Sequence, residues 1–187
     1  PTETACRATV TSRLVMSWEC FNKKNPVLCR DTQNGGYVGL IGELAQALHG
    51  EVAAWKTAGL ENRLILNLSL GWHQELGGGE SHITDMPTSV QAVYRALEDA
   101  VCRGALPIAA AGNRDASPNP SSGPFLPALW ETRSAPSPAD CQNLGITSSP
   151  SGAAYRPLLF SAAGVKDSGD PLDTTRPNGI ARLAAFA

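Results

Sequence analysis

The chain has 187 residues, 42% hydrophobic and 17% charged, which suits one globular domain and excludes a disordered polymer. A formal net charge of -2 gives no electrostatic basis for holding nucleic acid or an anionic membrane, so neither is expected as a partner. No apolar run approaches the roughly 20 residues that a membrane-spanning helix needs. In chain order, the segment PTETACRATV shows no charged-then-apolar signal pattern and leaves the compartment open, a secreted or periplasmic setting being slightly favoured. ATVTSRLVM, from Ala8 to Met16, is rich in β-branched residues and reads as a strand. A polar stretch follows, in which Cys20 and Cys29 bracket CFNKKNPVLC and could form a local disulfide if the protein is exported. From Tyr37, Leu40, Leu44, Leu48 and Val52 fall on one helical face, with Gly59 as the stop.

Leu64 to Leu68 is a short, continuously apolar run, the pattern of a parallel strand buried on both faces. A loop with three consecutive glycines, Gly77 to Gly79, separates it from a well-signalled helix opening at Thr88. Thr88 and Gln91 have the spacing of a capping box. Val90, Val93, Tyr94, Leu97, Ala100 and Val101 make an amphipathic stripe, and Gly104 ends it. Cys102 lies on the apolar side and reads as a buried free thiol. LPIAAAGN is the next buried strand, so Leu64 to Asn113 reads as a βαβ crossover.

From Arg114 to Pro157 the composition shifts, with eight of the 14 prolines and many serines. Within a single domain over 1–187, residues 114–157 are expected to form a long insertion or loop, with FLPALWE a short ordered piece. LLFSAAGV, Leu158 to Val165, and the terminal ARLAAFA read as third and fourth strands. The expected fold class is α/β, a three-layer sandwich on a mostly parallel, Rossmann-like sheet.

NLSLG, Asn67 to Gly71, comes within one residue of a nucleophile elbow. A glycine-rich loop follows the serine where the elbow needs a helix, and His73 and His82 lie too close behind it to return from a later strand. Ser69 is therefore not read as a nucleophile. His73 and His82 are read as solvated, and His49 as a surface residue near a helix end. Asn67-Leu68-Ser69 also spells a glycosylation sequon, accidental on a buried strand. No C-x-x-C pair suggests a metal, and no G-x-G-x-x-G follows a strand, so a dinucleotide-binding domain has no support.

ILNLSLG, a helix, and then GALPIAAAGN together resemble the centre of the subtilisin-like serine peptidases, and the resemblance extends more loosely to Ala187. It implies serine endopeptidase chemistry on a peptide or protein substrate. Asn113 would be the catalytic oxyanion-hole donor. Ser69, Leu70 and Gly71 would pair with the substrate backbone, while Ala110, Ala111 and Gly112 would form floor and wall of the pocket for the residue before the scissile bond. Small residues suit that place, since larger ones would take up the substrate's space. No cofactor is implied, and structural calcium, known in the family, is not readable here. The family's Asp, His and Ser segments have no match. DTQNGG at Asp31, the His49-Gly50 pair and Thr147-Ser148 each fall at the wrong place in the element order. The triad is expected before Pro1 and after Ala187, with the remaining pieces of the same domain as partners and the chain alone inactive. The alternative is a non-catalytic relative that uses the same groove to bind or scaffold peptides.

Overall fold

A computed structural model describes residues 8–12, 15, 39–59, 63–114, 122–146, 156–178 and 181–186. The Cys20–Cys29 pairing, DTQNGG and Thr147-Ser148 lie outside them. The strand expected at Ala8 is not formed over residues 8–12, where Val10 is 90% exposed.

Helix α1, Ile41–Thr57, buries Leu44, Leu48 and Val52 as their spacing requires, whereas Leu40 sits at the cap and is exposed. The Leu40 N–H donates to Glu43 Oε2 at 3.2 Å, which satisfies one of the donors a helix start leaves open. Strand β1 is Ile65–Leu68, helix α2 is Thr88–Cys102 and strand β2 is Leu106–Ala110. In α2, Val90, Val93, Leu97 and Ala100 are fully buried, and this stripe packs on α1 and the sheet. The capping box expected at Thr88 is absent, because Pro87 takes the N-cap position and has no side-chain acceptor. Gln91 Nε2 donates instead to the Met86 carbonyl, at 2.8 Å.

Helix α3, Pro138–Asn143, and strands β3, Phe160–Val165, and β4, Leu183–Phe186, complete the order. The fold is α/β with a four-stranded sheet ordered β1-β2-β3-β4, every neighbouring pair parallel. Leu66 pairs with Pro107, Leu68 with Ala109 and Ala109 with Ser161, and all five are buried on one face beneath the helices. Ile65 and Asn67 are exposed on the other face among the described residues. The expectation of a strand buried on both faces therefore fails for β1, and the sequon asparagine sits on its open side.

Residues 122–146 contribute a 3-10 helix, Ala128–Thr132, and α3. Trp130, Leu126 and Ala128 belong to the main core, where the Trp130 ring meets Tyr94 edge-on at 5.0 Å and Trp72 at 5.7 Å. Burial pushes the Tyr94 hydroxyl above its ordinary pKa. Cys102 is not a free thiol: it forms a disulfide with Cys141 of α3, both cysteines being 1% exposed. The bridge ties the end of α2 to a segment 39 residues further on.

Among the described residues no helix is long and apolar enough to cross a membrane.

Candidate functional site

In a parallel sheet every strand delivers its C-terminal end to the same edge, where loops converge and ligands commonly bind. Here β1 runs into Ser69-Leu70-Gly71, β2 into Ala111-Gly112-Asn113 and β3 into Lys166. Ser69, Gly71 and Asn113 are exposed, Leu70, Ala110 and Gly112 half-buried, and Ala111 buried. The structure thus brings the seven residues singled out in the sequence to the ends of two adjacent strands.

Two later segments close over this edge. Residues 122–127 lie between the exits of β1 and β2: Phe125 N–H donates to the Ala111 carbonyl at 2.9 Å, and Leu126 exchanges hydrogen bonds with Trp72 at 2.8 and 3.0 Å. The Leu126–Pro127 peptide is cis. Residues 171–178, from the β3–β4 connection, bridge to the exit of β2, where Asn113 faces Thr175 and Arg114 N–H donates to the Thr174 carbonyl at 2.6 Å. The two segments hold each other. Gly123 N–H donates to the Pro177 carbonyl at 2.8 Å, and Arg176 Nε returns a bond to the Gly123 carbonyl at 2.6 Å. At the start of the same connection, Lys166 binds Asp173 at 2.7 Å and holds its carboxyl below the ordinary carboxylate pKa.

Glycine is required at the crossing point. Gly112 has φ +94°, a region side chains rarely adopt, and a Cβ there would collide with the Phe125 ring. A Cβ on Gly71 would lie 2.9 Å from Phe125 Cβ and from the Leu126 carbonyl oxygen. Phe125 is further packed by the Arg176 guanidinium, 4.0 Å from its ring centre, and by the His73 ring, edge-on at 4.6 Å. His73 is therefore half-buried and in contact, unlike the solvated residue expected, while His49 and His82 are exposed.

On the other side of β2, a cavity of about 230 Å³ opens between the exits of β2 and β3. Gly112, Asn113, Ala162, Ala163, Gly164 and Leu172 line it, together with Thr174 and Thr175. Asn113 supplies a neutral amide that can donate to an oxygen at this wall. Beneath the sheet edge, Glu131 is buried and accepts the Ser161 N–H at 3.0 Å, with Arg182 Nε 3.7 Å from the same carboxylate oxygen. This carboxylate braces the 3-10 helix against β3 and the start of β4. Among the described residues no group of three or more His, Cys, Asp or Glu is arranged to hold a metal ion.

Sequence reasoning missed Phe125, Arg176 and Thr175. FLPALWE signalled order but not its position, and Arg176 reaches Gly123 across 53 residues, a contact with no local signature.

No family model and no curated protein matches the chain. Solved structures similar to it include sphericase, 16% identical with a TM-score of 0.41, covering 70% of this chain and 28% of its own. S41 psychrophilic protease is 19% identical with a TM-score of 0.40, covering 72% and 28%. Prenylagaramide maturation protease PagA is 16% identical with a TM-score of 0.42, covering 81% and 38%. The chain thus spans 28% to 38% of the length of these solved chains.

Proposed function

We propose that the chain is part of a subtilisin-like serine endopeptidase, to which it contributes the substrate-binding strand ends and the oxyanion-hole donor. One observation carries the reading: Asn113, in the segment that leaves β2, stands at the rim of the cavity of about 230 Å³, one strand over from the exposed Ser69 and Gly71. A peptide lying along Ser69-Leu70-Gly71 would add main-chain hydrogen bonds for affinity, with side-chain pockets providing selectivity. Its scissile carbonyl would stand at Asn113, whose amide donates to the oxygen as it becomes negative. One such donor is worth roughly 10²–10³ in kcat, a magnitude known for this family.

Asn113→Ala in the intact protein is expected to lower kcat by roughly 10²–10³ while KM changes little, because the donor acts on the transition state. An unchanged kcat in folded enzyme would remove Asn113 from the chemistry. Labelling by a fluorophosphonate tests the serine mechanism, and a protein that cleaves peptides without labelling would reject it.

A second reading, a non-catalytic peptide-binding relative, is favoured by the strand-end bonds that Phe125 and Leu126 already make to Ala111 and Trp72. Peptide binding without turnover in the intact protein would select it.

A further inference from the structure

The geometry points to Phe125 as a specificity-determining residue: its ring fills the pocket for the residue before the scissile bond and restricts that pocket to glycine, alanine or serine. This inference rests on the peptidase reading above and deepens it.

The wall and floor assigned to that pocket are the backbone of Ala110-Ala111-Gly112, facing the exit of β1 at Gly71. The space between Gly71 and Gly112 is what would receive a substrate side chain. In this chain it is taken. Hypothetical Cβ atoms on Gly71 and on Gly112 both run into Phe125, so one phenyl side chain touches both sides of the gap. Glycine at both positions reads as room for a ring, and the ring present belongs to the protein itself.

The ring is also held. Phe125 N–H is bonded to the Ala111 carbonyl, which fixes its backbone to the pocket wall. The guanidinium of Arg176, a residue only 4% exposed, lies 4.0 Å from the ring centre, and His73 closes another side at 4.6 Å. Arg176 is itself fixed to the Gly123 carbonyl, two residues before the phenylalanine. A large substrate side chain would have to displace a ring packed on three sides, with its backbone anchored. A hydrogen, a methyl or a hydroxymethyl group needs no such displacement.

The test uses the intact protein and peptide p-nitroanilides Ala-Ala-Pro-X, with X alanine, leucine or phenylalanine. For the unaltered protein kcat/KM is expected to favour alanine over phenylalanine by about 100-fold or more, the scale on which pocket shape discriminates. Phe125→Ala should shift the phenylalanine-to-alanine ratio upward by at least about 10-fold, and Phe125→Leu by less, with leucine substrates intermediate. Circular dichroism and thermal unfolding report whether each variant is folded, and where Phe125→Ala is not, the milder Phe125→Leu decides. An unaltered enzyme that cleaves after phenylalanine as fast as after alanine overturns the inference and leaves the peptidase reading standing. So does a folded variant with an unchanged ratio. An intact protein that neither cleaves any member of the series nor labels with fluorophosphonate removes both readings together.

Discussion

The β1–α2–β2 unit and the closing segments at the sheet edge are built from opposite kinds of information. In the first, one continuous stretch carries its own pattern: α2 buries its period-3.6 stripe on the strands directly before and after it. In the second, contacts between separate segments, spanning half a hundred residues, do most of the holding. Trp130 Nε1 donates to the Gly78 carbonyl at 2.8 Å across 52 residues, and Arg176 reaches Gly123 across 53. Local patterning can nucleate the first, whereas the second gains its contacts only after loops have closed at an entropic cost. The molecule thus sets a locally coded platform beneath a non-locally assembled cover, and the candidate site lies between them.

Removing the disulfide should separate the two most strongly. For a loop of 39 residues between Cys102 and Cys141, chain entropy predicts a loss of about 4 kcal/mol in Cys102→Ser/Cys141→Ser, read by denaturant unfolding. Hydrogen exchange should speed up in residues 122–146 before it does in α2 and β2. Uniform acceleration would show that platform and cover unfold as one unit. A smaller effect is expected from Trp130→Phe, which keeps most of the ring packing but leaves the buried Gly78 carbonyl without its donor. About 1–3 kcal/mol should be lost, and a neutral result would mean that the bond is not what secures the cover.

The smallest effect concerns Asp140, exposed at the start of α3. Its carboxylate accepts from Ser137 Oγ at 2.6 Å and from Ser137 N–H at 2.9 Å, and these bonds hold its pKa below the ordinary 3.8. A depressed carboxylate pKa stabilises the fold above the unfolded value, and that contribution fades as pH falls through the folded one. Asp140→Asn should therefore change stability near neutral pH and flatten its decline below about pH 4. A variant with the same acid limb would show that α3 is held by the disulfide and not by its cap.

How far the sequence could be read follows the same division. The α2 stripe, the α1 face and all four parallel strands are carried by apolar spacing and were legible from it. The residues at the strand ends were singled out by the resemblance that ILNLSLG and GALPIAAAGN carry, not by spacing. The cap of α2 was misplaced by one residue, since Thr88 reads as a cap only when Pro87 is ignored. The actual capping box, Ser137-Pro138-Ala139-Asp140, lies in the proline-rich stretch where no helix was sought. Cys102 was misread for a physical reason as well: a cysteine on a buried helix face looks inert until its partner is located in space. Phe125 carries no local mark, because nothing within a few residues of it says that it will lie between Gly71 and Gly112.

Gly77 and Gly78 draw these strands together in another way. Both are buried with positive φ, at +95° and +109°, and their neighbouring carbonyls accept the indole N–H groups of Trp72 and Trp130, at 3.0 and 2.8 Å. Trp72 continues the exit of β1, and Trp130 belongs to the segment that delivers Phe125. One dipeptide therefore anchors both the exit of β1 and the segment that carries Phe125. The indole of Trp72 is held by the Gly77 carbonyl and that of Trp130 by the next carbonyl along, so moving either tryptophan pulls on the same two-residue stretch of backbone.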